Sequence, residues 1–535
     1  MHYHQALSRA MADQGITHVF GVLGDANLFV IEHWARSGGR YTAVAHEGAG
    51  VLAASGYAST SGDVGVATIT HGPALTNCVT ALVDAVRAGL PVLVIAGDTD
   101  PAVRGHLQNI DHRSVVLATG AGFEPATSPE TAASDLARAL RRARHESRPV
   151  VLNIPITFQW QDVDYVPAPA PSVRQKRVRP DRDALEDAVG LVAGARRPVV
   201  LGGRGAAGAR DQLVRLAERI GAPVATSLRG KGLFAGHPHD LGICGTLSHE
   251  TALGVIGESD AVLAFGASLN DFTTAEGSLL RGKRVVHVDL EAAHPDHWSS
   301  VTVGVVGDAG EVADAMVDLL DEADVPSTGY ADAAMAQALK DPRPPLRAAR
   351  AGGLDLVALL RRIDEAFPSE RTLVIDDGRF ILTAYAELGA PHPGAYVHTC
   401  SFASIGLAMG NAIGAYAGAP TRPVLAVVGD GGFMSAGIGE LNTAVRSGTD
   451  VVVVVVNDKA YGAEHVQLVG RGLDPAISTF DWPDLAPVAT ALGADGYTVR
   501  TMEDLESTLS ALDARTRPVL IDVQIDPYDV PGSFV

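Results

Sequence analysis

Hydrophobic runs that end in glycine alternate with helix-like segments along the whole chain. The runs "THVFGVLG", "VGVATIT" and "PVLVIAGD" have the continuous apolar pattern of strands, whereas "GAGVLAASGYAST" and "NCVTALVDAVRAG" have the pattern of helices. The same alternation returns later, with strand-like "RPVVLGG", "AVLAFG", "VLAVVGDGG" and "PVLIDVQID". Continuous apolar strands are typical of a parallel sheet covered by helices on both faces. The pattern therefore predicts an α/β protein built from doubly wound parallel sheets.

Two proline-rich breaks divide the chain into three segments of similar size. The first break lies around Tyr165 to Pro180 and the second runs from Ala323 to Arg350, and both have the composition of linkers. A chain of 535 residues is also too long for a single hydrophobic core. We therefore predict three domains, at residues 1–165, 182–340 and 354–535.

Charge and composition exclude several classes of partner. The formal net charge is −20 and no cluster of Lys and Arg stands out, which argues against nucleic acid or an anionic membrane surface as the main partner. No apolar run reaches the ~18–20 residues that span a bilayer. Cys78, Cys244 and Cys400 are far apart, so we predict small buried hydrophobic residues rather than a disulfide framework or a zinc site. These features favour a cytoplasmic protein that acts on a small molecule.

The stretch "GDGGFMSAGIGELNTAVRSGTDVVVVVVND" holds the clearest candidate chemistry. Asp430 follows one buried strand and Asn457 ends the next, and a strand–helix–strand crossover brings both to the same edge of a parallel sheet. A carboxylate, an amide oxygen and phosphate oxygens form the kind of ligand set that Mg²⁺ prefers. Gly431 and Gly432 allow a phosphate to approach the backbone and the start of the following helix. The alternative is an ordinary turn followed by an Asn cap.

This order of Gly-Asp-Gly, helix, all-valine strand and Asn resembles the thiamine diphosphate signature of the acetolactate synthase and pyruvate decarboxylase superfamily. The resemblance extends over nearly the whole chain and implies a pyrimidine-binding (PYR), a central and a diphosphate-binding (PP) domain. It implies thiamine diphosphate and Mg²⁺ as cofactors, with the metal held by Asp430, Asn457 and the backbone carbonyl of Lys459. It also implies further cofactor contacts at Gly24, Asp25, Gly378, Arg379, Ile405, Gly429, Gly431, Gly432 and Tyr461.

The resemblance names three candidate catalytic residues in the first domain: Glu47, His71 and Gln108. "AVAHEGAGVLAASGYA" is similar to the family segment whose Glu hydrogen-bonds the aminopyrimidine ring, although an isolated Glu47 could simply be stabilised by a helix dipole. His71 of "THGPALTN" is either a proton shuttle or a structural residue. Gln108 lies in "RGHLQNIDHR", whose His106 and His112 belong either to the site or to a polar surface loop. In the family the Glu meets the Gly-Asp-Gly motif across a subunit interface, which implies a homodimer or homotetramer.

The reaction is less sharply indicated than the cofactor. Acetolactate synthases carry an Asp-Asp-Arg whose Arg binds a substrate carboxylate, but the matching stretch "GASLNDFTTAEG" has no Arg. This difference favours an acceptor without a carboxylate, or no acceptor, and the candidate substrate contacts are Leu107, Phe272 and Glu464. Glu464 could instead lie, with His465, at a solvent-facing helix start.

We expect a carbon–carbon lyase or carboligase that acts on 2-oxo acids or 2-hydroxy ketones and is similar to acetolactate synthase. The alternatives are a non-oxidative decarboxylase of the pyruvate or benzoylformate type and a non-catalytic relative that kept the fold. A nucleotide-binding dehydrogenase is disfavoured because no Gly-x-Gly-x-x-Gly fingerprint stands out. For the same reason, FAD in the central domain is left open.

Overall fold

Three parallel sheets of six strands each form the framework of the protein. The computed structural model describes residues 1–103, 105–169, 178–343, 346 and 354–527. The α/β prediction is confirmed. Parts of both predicted linkers, at 170–177, 344–345 and 347–350, and the end of the predicted third domain, at 528–535, lie outside the described residues. The first and third sheets belong to one compact unit and the second sheet to another.

The N-terminal sheet has the strand order β2-β1-β3-β4-β6-β5. Its two central strands, β3 and β4, are almost entirely buried, as expected for a sheet covered on both faces. The strands are β1 (His18–Gly21), β2 (Arg40–Ala43), β3 (Gly65–Ile69), β4 (Val92–Asp98), β5 (Gly122–Pro125) and β6 (Val150–Pro155). The helices are α1 (Tyr3–Asp13), α2 (Leu28–Arg36), α3 (Glu47–Ser61), α4 (Pro73–Thr76), α5 (Val79–Ala88), α6 (His112–Ala118) and α7 (Ala132–Glu146).

The central sheet has the order β12-β11-β10-β7-β8-β9. Its core is formed by apolar side chains of the strands and of the helices that cover them. The strands are β7 (Pro198–Gly202), β8 (Val224–Thr226), β9 (Asp240–Ile243), β10 (Ala261–Phe265), β11 (Arg284–Asp289) and β12 (Val303–Val306). The helices are α8 (Arg182–Ala193), α9 (Arg210–Ile220), α10 (Glu250–Glu258), α11 (Asp271–Thr274), α12 (Ala309–Glu322) and α13 (Ala333–Ala338).

The C-terminal sheet has the order β14-β13-β15-β16-β18-β17. Its strands are β13 (Thr372–Ile375), β14 (Tyr396–His398), β15 (Val424–Gly429), β16 (Val451–Asn457), β17 (Asp495–Val499) and β18 (Val519–Gln524). Its helices are α14 (Leu356–Ala366), α15 (Ile381–Glu387), α16 (Ala408–Gly418), α17 (Asp430–Gly432), α18 (Ile438–Ser447), α19 (Gly462–Gly470), α20 (Leu485–Ala491) and α21 (Met502–Leu512). A π-helical segment at Phe433–Gly437 joins α17 to α18. Helical structure therefore begins at Asp430, within the Gly-Asp-Gly motif and not after it.

Helices α3 and α16 pack together with very little side-chain volume between them. A β-carbon added to Gly414 would lie 1.7 Å from the carbonyl oxygen of Ala53, and one added to Gly56 would lie 2.1 Å from that of Asn411. Such distances are possible only for glycine, so the backbones of the two helices are in direct contact. This contact joins the first and third sheets within their shared compact unit.

Strand β16 lies at the centre of the C-terminal sheet. It pairs with β15 on one side and β18 on the other, and all seven of its residues are buried. Valine suits such a position because its branched side chain packs well on a pleated surface.

The cysteine prediction holds for two of the three positions. Cys78 and Cys244 are buried free thiols, whereas Cys400 is only half-buried. No helix within the described ranges is both long and apolar enough to cross a bilayer.

Candidate active site

Asp430 and Asn457 lie side by side at the carboxyl edge of the C-terminal sheet. Gly429, the last residue of β15, is in register with Val456 of β16, so the residue that follows each of them emerges at the same level. Both side chains are almost fully buried, at 2% and 1% exposure. The Oδ2 atom of Asp430 has no hydrogen-bond partner among the described residues. A buried, unpaired carboxylate oxygen is expensive, and it marks a place where a cation would be stabilised.

The amide of Asn457 is held in one orientation by the neighbouring strand. The Nδ2 atom of Asn457 donates to Oδ1 of Asp522 at 2.8 Å. The amide oxygen of Asn457 is therefore the end of the side chain that does not bond to Asp522. That oxygen accepts a long hydrogen bond of 3.3 Å from the backbone N–H of Lys459. Lys459 has a left-handed φ of 55°, which is unusual for a residue with a side chain. The chain thus turns sharply here, and the Lys459 carbonyl accepts the backbone N–H of Phe480 at 2.8 Å.

The electrostatic setting of these groups is strongly negative. Burial, reinforced by the charge of Asp458, raises the pKa of Asp430 to about 7. Burial also raises the pKa of Asp458 to about 6, although the Arg379 guanidinium opposes this shift. Burial disfavours the ionised form of both carboxyl groups. A divalent cation would stabilise the ionised form of each.

Gly431 and Gly432 lie too close to neighbouring residues to carry a side chain. A β-carbon on Gly431 would lie 2.9 Å from the ring of Tyr461, and one on Gly432 would lie 2.7 Å from Oδ2 of Asp376. Asp376 in turn accepts the backbone N–H groups of Gly406 and Leu407 at 2.9 and 3.1 Å. These bonds fix the loop that presents the preceding Ile405, whose side chain is 39% exposed beside the glycines.

Arg379 lies on the loop that follows β13, next to Gly378. Its guanidinium donates to the carbonyl of Pro527, and burial lowers its pKa while Asp458 raises it. Gly378 donates its N–H to Asp377 at 2.8 Å. The sequence-predicted cofactor residues of the third domain are therefore gathered at one sheet edge: Gly378, Arg379, Ile405, Gly429, Asp430, Gly431, Gly432, Asn457, Lys459 and Tyr461.

A second group of candidate residues follows the strands of the N-terminal sheet. His71 comes after β3 and is completely buried, with its Nδ1 3.3 Å from Oδ1 of Asp25 and 3.3 Å from Oγ1 of Thr70. The Nε2 atom of His71 has no hydrogen-bond partner within the described part of the chain. Burial lowers the pKa of His71, and the Asp25 carboxylate opposes this effect. Burial therefore favours the neutral form of the His71 imidazole.

The turn that carries His71 packs tightly against the segment of Gln108. A β-carbon on Gly72 would lie 2.0 Å from the Gln108 carbonyl oxygen, and the Gly72 N–H donates to Nε2 of His112 at 3.0 Å. His112 is buried and its Nδ1 bonds to Asn153 at 2.8 Å. The surface-loop alternative is therefore wrong for His112, which supports this turn from behind. Gly24 also belongs to this group, because a β-carbon on it would contact Thr70 at 2.7 Å.

Glu47 is the first residue of α3. Its Oε2 accepts a hydrogen bond of 2.9 Å from Nδ2 of Asn77. The preceding residues are held by Glu440 of α18, whose Oε1 accepts the backbone N–H groups of Ala45 and His46 at 3.0 and 3.1 Å. The position of Glu47 thus depends on a carboxylate from the third sheet's helix.

The three candidate substrate contacts are exposed, unlike the buried residues of the two clusters. The side chain of Leu107 is fully exposed, and Phe272 is 63% exposed at the start of α11 in the other compact unit. Glu464 is exposed, as the helix-start alternative predicted, but the neighbouring His465 is buried. Leu107 and Glu464 are therefore solvent-exposed and are not buried in the clusters of the first unit.

Comparison with known proteins agrees with this geometry. Residues 1–115 match the thiamine pyrophosphate enzyme N-terminal TPP binding domain, residues 185–316 the central domain and residues 378–523 the C-terminal TPP binding domain. A protein of Pseudomonas aeruginosa named "Probable 2-ketoarginine decarboxylase" is 31% identical over 97% of this chain and 93% of its own length. The chain belongs to the thiamine pyrophosphate enzyme family. Thiamine pyrophosphate is the thiamine diphosphate of the sequence prediction.

Other family members have different names. A sulfoacetaldehyde acetyltransferase of Castellaniella defragrans is 29% identical over 96% of this chain and 90% of its own length. An acetolactate synthase large subunit of Parasynechococcus marenigrum is 30% identical over 97% of this chain and 87% of its own length. The family is therefore clear, while the relatives divide among decarboxylases, acetyltransferases and synthases.

The residues of this family member fit the cofactor. Oδ2 of Asp430 has no hydrogen-bond partner among the described residues, and the two glycines keep the adjacent backbone free of side chains. No group of three His, Cys, Asp or Glu side chains that could hold a metal occurs within the described ranges. A site that combines one carboxylate with an amide and a carbonyl oxygen is consistent with that absence and with the oxygen ligands of Mg²⁺.

Sequence reasoning missed three carboxylates that position the candidate residues. Asp522 orients Asn457, Asp376 holds the Ile405 loop, and Glu440 holds the segment before Glu47. Asp522 could have been recognised from the sequence, because a carboxylate within the apolar strand "VLIDVQ" needs a buried partner. Asp376 is the first polar residue after β13, at the same sheet edge as Asp430. Glu440 left no signal, because its partners are backbone groups of a distant segment.

Proposed function

We propose that the protein is a thiamine diphosphate- and Mg²⁺-dependent enzyme that cleaves the bond between the carboxyl and carbonyl carbons of a 2-oxo acid. The observation that carries the proposal is the buried Oδ2 of Asp430, which has no hydrogen-bond partner among the described residues and follows a strand in register with the one that ends at Asn457. When bound, thiamine diphosphate supplies a carbon nucleophile and an electron sink for such a cleavage.

Each candidate residue has a role that its position supports. Asp430, Asn457 and the Lys459 carbonyl would hold Mg²⁺, while Gly431 and its neighbours would accept the diphosphate. Ile405 would support the thiazolium ring, because an aliphatic side chain is presented beside the glycines. Glu47 would hydrogen-bond a ring nitrogen of the aminopyrimidine by donating from its carboxyl group, as the family resemblance implies. Because family sites form between subunits, we further propose that the active enzyme is at least a homodimer.

His71 is the observation that favours decarboxylation over ligation. Loss of carbon dioxide leaves a carbon that must be protonated before the product is released. His71 is buried with Nδ1 3.3 Å from Asp25, and its Nε2, which has no hydrogen-bond partner among the described residues, would be the atom that passes the proton. Gln108 lies on the segment packed against the same turn and would orient the substrate. The relative named as a 2-ketoarginine decarboxylase supports the same reaction class.

Carboligation is the second candidate. The relatives named as acetyltransferases and acetolactate synthases support it. The stretch "GASLNDFTTAEG" has no Arg to hold a second carboxylate, so an acceptor would be an aldehyde rather than a second oxo acid.

The test is carbon dioxide release with product analysis. The purified protein, with thiamine diphosphate and Mg²⁺, would be given pyruvate, benzoylformate or 2-ketoarginine, with and without an added aldehyde. We expect release of carbon dioxide and a free aldehyde; a hydroxy ketone as the main product would favour the carboligase. Removal of Mg²⁺ with a chelator should stop turnover. No release from any oxo acid would contradict the proposal.

Two variants assign the site within that assay. Glu47→Gln should bind the cofactor but lose at least about 100-fold in turnover, the usual range for removing an acid–base group. The matched control Glu32→Gln removes an exposed carboxylate of the same domain and should behave as wild type. Asp430→Ala should lose Mg²⁺ and with it the affinity for thiamine diphosphate by calorimetry. Unchanged affinity would refute the metal site.

A further inference from the structure

A cleft of about 380 Å³ lies between the edge strand β2 and helix α18, within the compact unit that holds the first and third sheets. It is separate from the two clusters described above, since none of their residues lines it. Arg40, Tyr41 and His18 line it from the N-terminal sheet, and Thr443, Arg446 and Ser447 line it from α18.

The cleft contains two guanidinium groups that are not neutralised. Arg446 donates to the carbonyl of Ala43 at 2.9 Å, to Oδ1 of Asn442 at 3.0 Å and to Oγ1 of Thr443 at 3.0 Å, all of which are uncharged acceptors. Neither Arg40 nor Arg446 forms a salt bridge with any described residue. In a chain of net charge −20, two unpaired arginines in one cleft form a local positive site.

The remaining polar groups suit an oxyanion rather than a second protein side chain. His18 bonds through Nε2 to Thr42 at 2.8 Å, and its buried Nδ1 has no partner among the described residues. Burial and the Arg40 charge lower the pKa of His18 to about 4, so the imidazole is neutral and the positive charge comes from the arginines. The guanidinium groups of arginine are typical ligands of phosphate and carboxylate.

The cleft also adjoins the segment that leads to Glu47. Arg446 holds the carbonyl of Ala43, and Glu440 of the same helix holds the N–H groups of Ala45 and His46. The next residue along the chain is Glu47. An anion bound by both Arg40 and Arg446 would link β2 to α18 through two charged contacts.

We propose that this cleft binds a small molecule with a phosphate or carboxylate group, and that the bound anion clamps β2 to α18. Its effect on catalysis rests on the proposed role of Glu47. Anion binding does not depend on the role of Glu47. An experiment can therefore contradict the anion site without contradicting the proposed function, and the reverse.

The test is calorimetric titration of the protein saturated with thiamine diphosphate and Mg²⁺, so that the diphosphate site is already filled. Inorganic phosphate and malonate are the two probes, and sodium chloride of equal ionic strength is the salt control. We expect one probe to bind at one site per chain and to raise the melting temperature more than chloride does. The tighter probe identifies the oxyanion class.

Arg40→Gln should weaken that binding at least tenfold. Arg36→Gln is the matched control, because it removes an exposed arginine of the same domain that is already paired with Glu32. Phosphate or malonate should also raise the turnover of the wild type but not of Arg40→Gln. Equal binding by wild type and Arg40→Gln, or no binding beyond chloride, would overturn the site. Binding without any change in turnover would overturn the clamp.

Discussion

Glu440 offers a direct test of how the two sheets of the first unit cooperate. Its carboxyl group is 2% exposed, and its Oε1 accepts two backbone N–H groups from the segment before Glu47. Glu440→Ala would leave both donors without a protein acceptor. Hydrogen bonds to a charged group contribute about 1.5–3 kcal/mol each, so the gross loss is about 3–6 kcal/mol.

The Glu440→Ala substitution also removes a term that destabilises the folded protein, and this offsets part of the loss. Burial raises the pKa of Glu440, which shows that the ionised carboxylate is itself unfavourably placed, and its Oε2 has no partner in the described part of the chain. Removing that charge regains on the order of 1–3 kcal/mol of desolvation. Taking the middle of each range, about 4.5 and about 2 kcal/mol, the net effect of Glu440→Ala is a loss of about 2.5 kcal/mol. Urea denaturation followed by circular dichroism would measure it.

Glu440→Gln is the matched control, because its amide oxygen can still accept both N–H groups. We expect it to change stability by less than about 1 kcal/mol and to retain most of the turnover. Glu440→Ala should lose turnover by more than its stability loss explains, because Glu47 is no longer fixed. Equal losses for Ala and Gln would show that the charge, and not the acceptor, is what matters, and the reasoning would be wrong.

Two further substitutions test the packing around the candidate site. Asp376→Ala should remove about 2–4 kcal/mol of stability and weaken thiamine diphosphate binding, because the buried N–H groups of Gly406 and Leu407 lose their acceptor; unchanged calorimetric affinity would contradict this. Gly414→Ala should lower stability by about 3 kcal/mol or more, because its β-carbon would collide with the Ala53 carbonyl. Gly470→Ala has open space around it and should stay within about 1 kcal/mol of wild type. Similar melting curves for the two glycine variants would argue against direct backbone contact between α3 and α16.

The sequence predicted the framework of the fold because its signals are local. Apolar runs with glycine ends identified the principal strands, and the crossover rule placed Asp430 next to Asn457. The start of the helix at Asp430 was missed, because glycines immediately after a strand read as a turn while the structure continues through a π-helical segment. A π-helical turn has no pattern of its own in hydrophobic periodicity.

The supporting contacts of the site could not be read from the sequence. Asp376 and Glu440 act on backbone groups of segments far away along the chain, and backbone donors carry no residue-type signal. His112 was left between a surface loop and the site, because a loop sequence does not reveal that a turn from another strand will cover it. Tertiary packing determines the surroundings of such residues, and the local sequence pattern does not show which distant segments will pack against them.

The valine strand β16 also constrains how the protein is made. It needs β18 to cover its second edge, and Asn457 and its partner Asp522 are 65 residues apart. At a synthesis rate of roughly 5–20 residues per second, a ribosome takes about 3–13 s to add those residues. During that interval six consecutive valines present an open strand edge, which is a template for aggregation. Expression at low temperature or together with a chaperone should therefore raise the soluble yield more than it does for a chain whose central strands are neighbours in sequence.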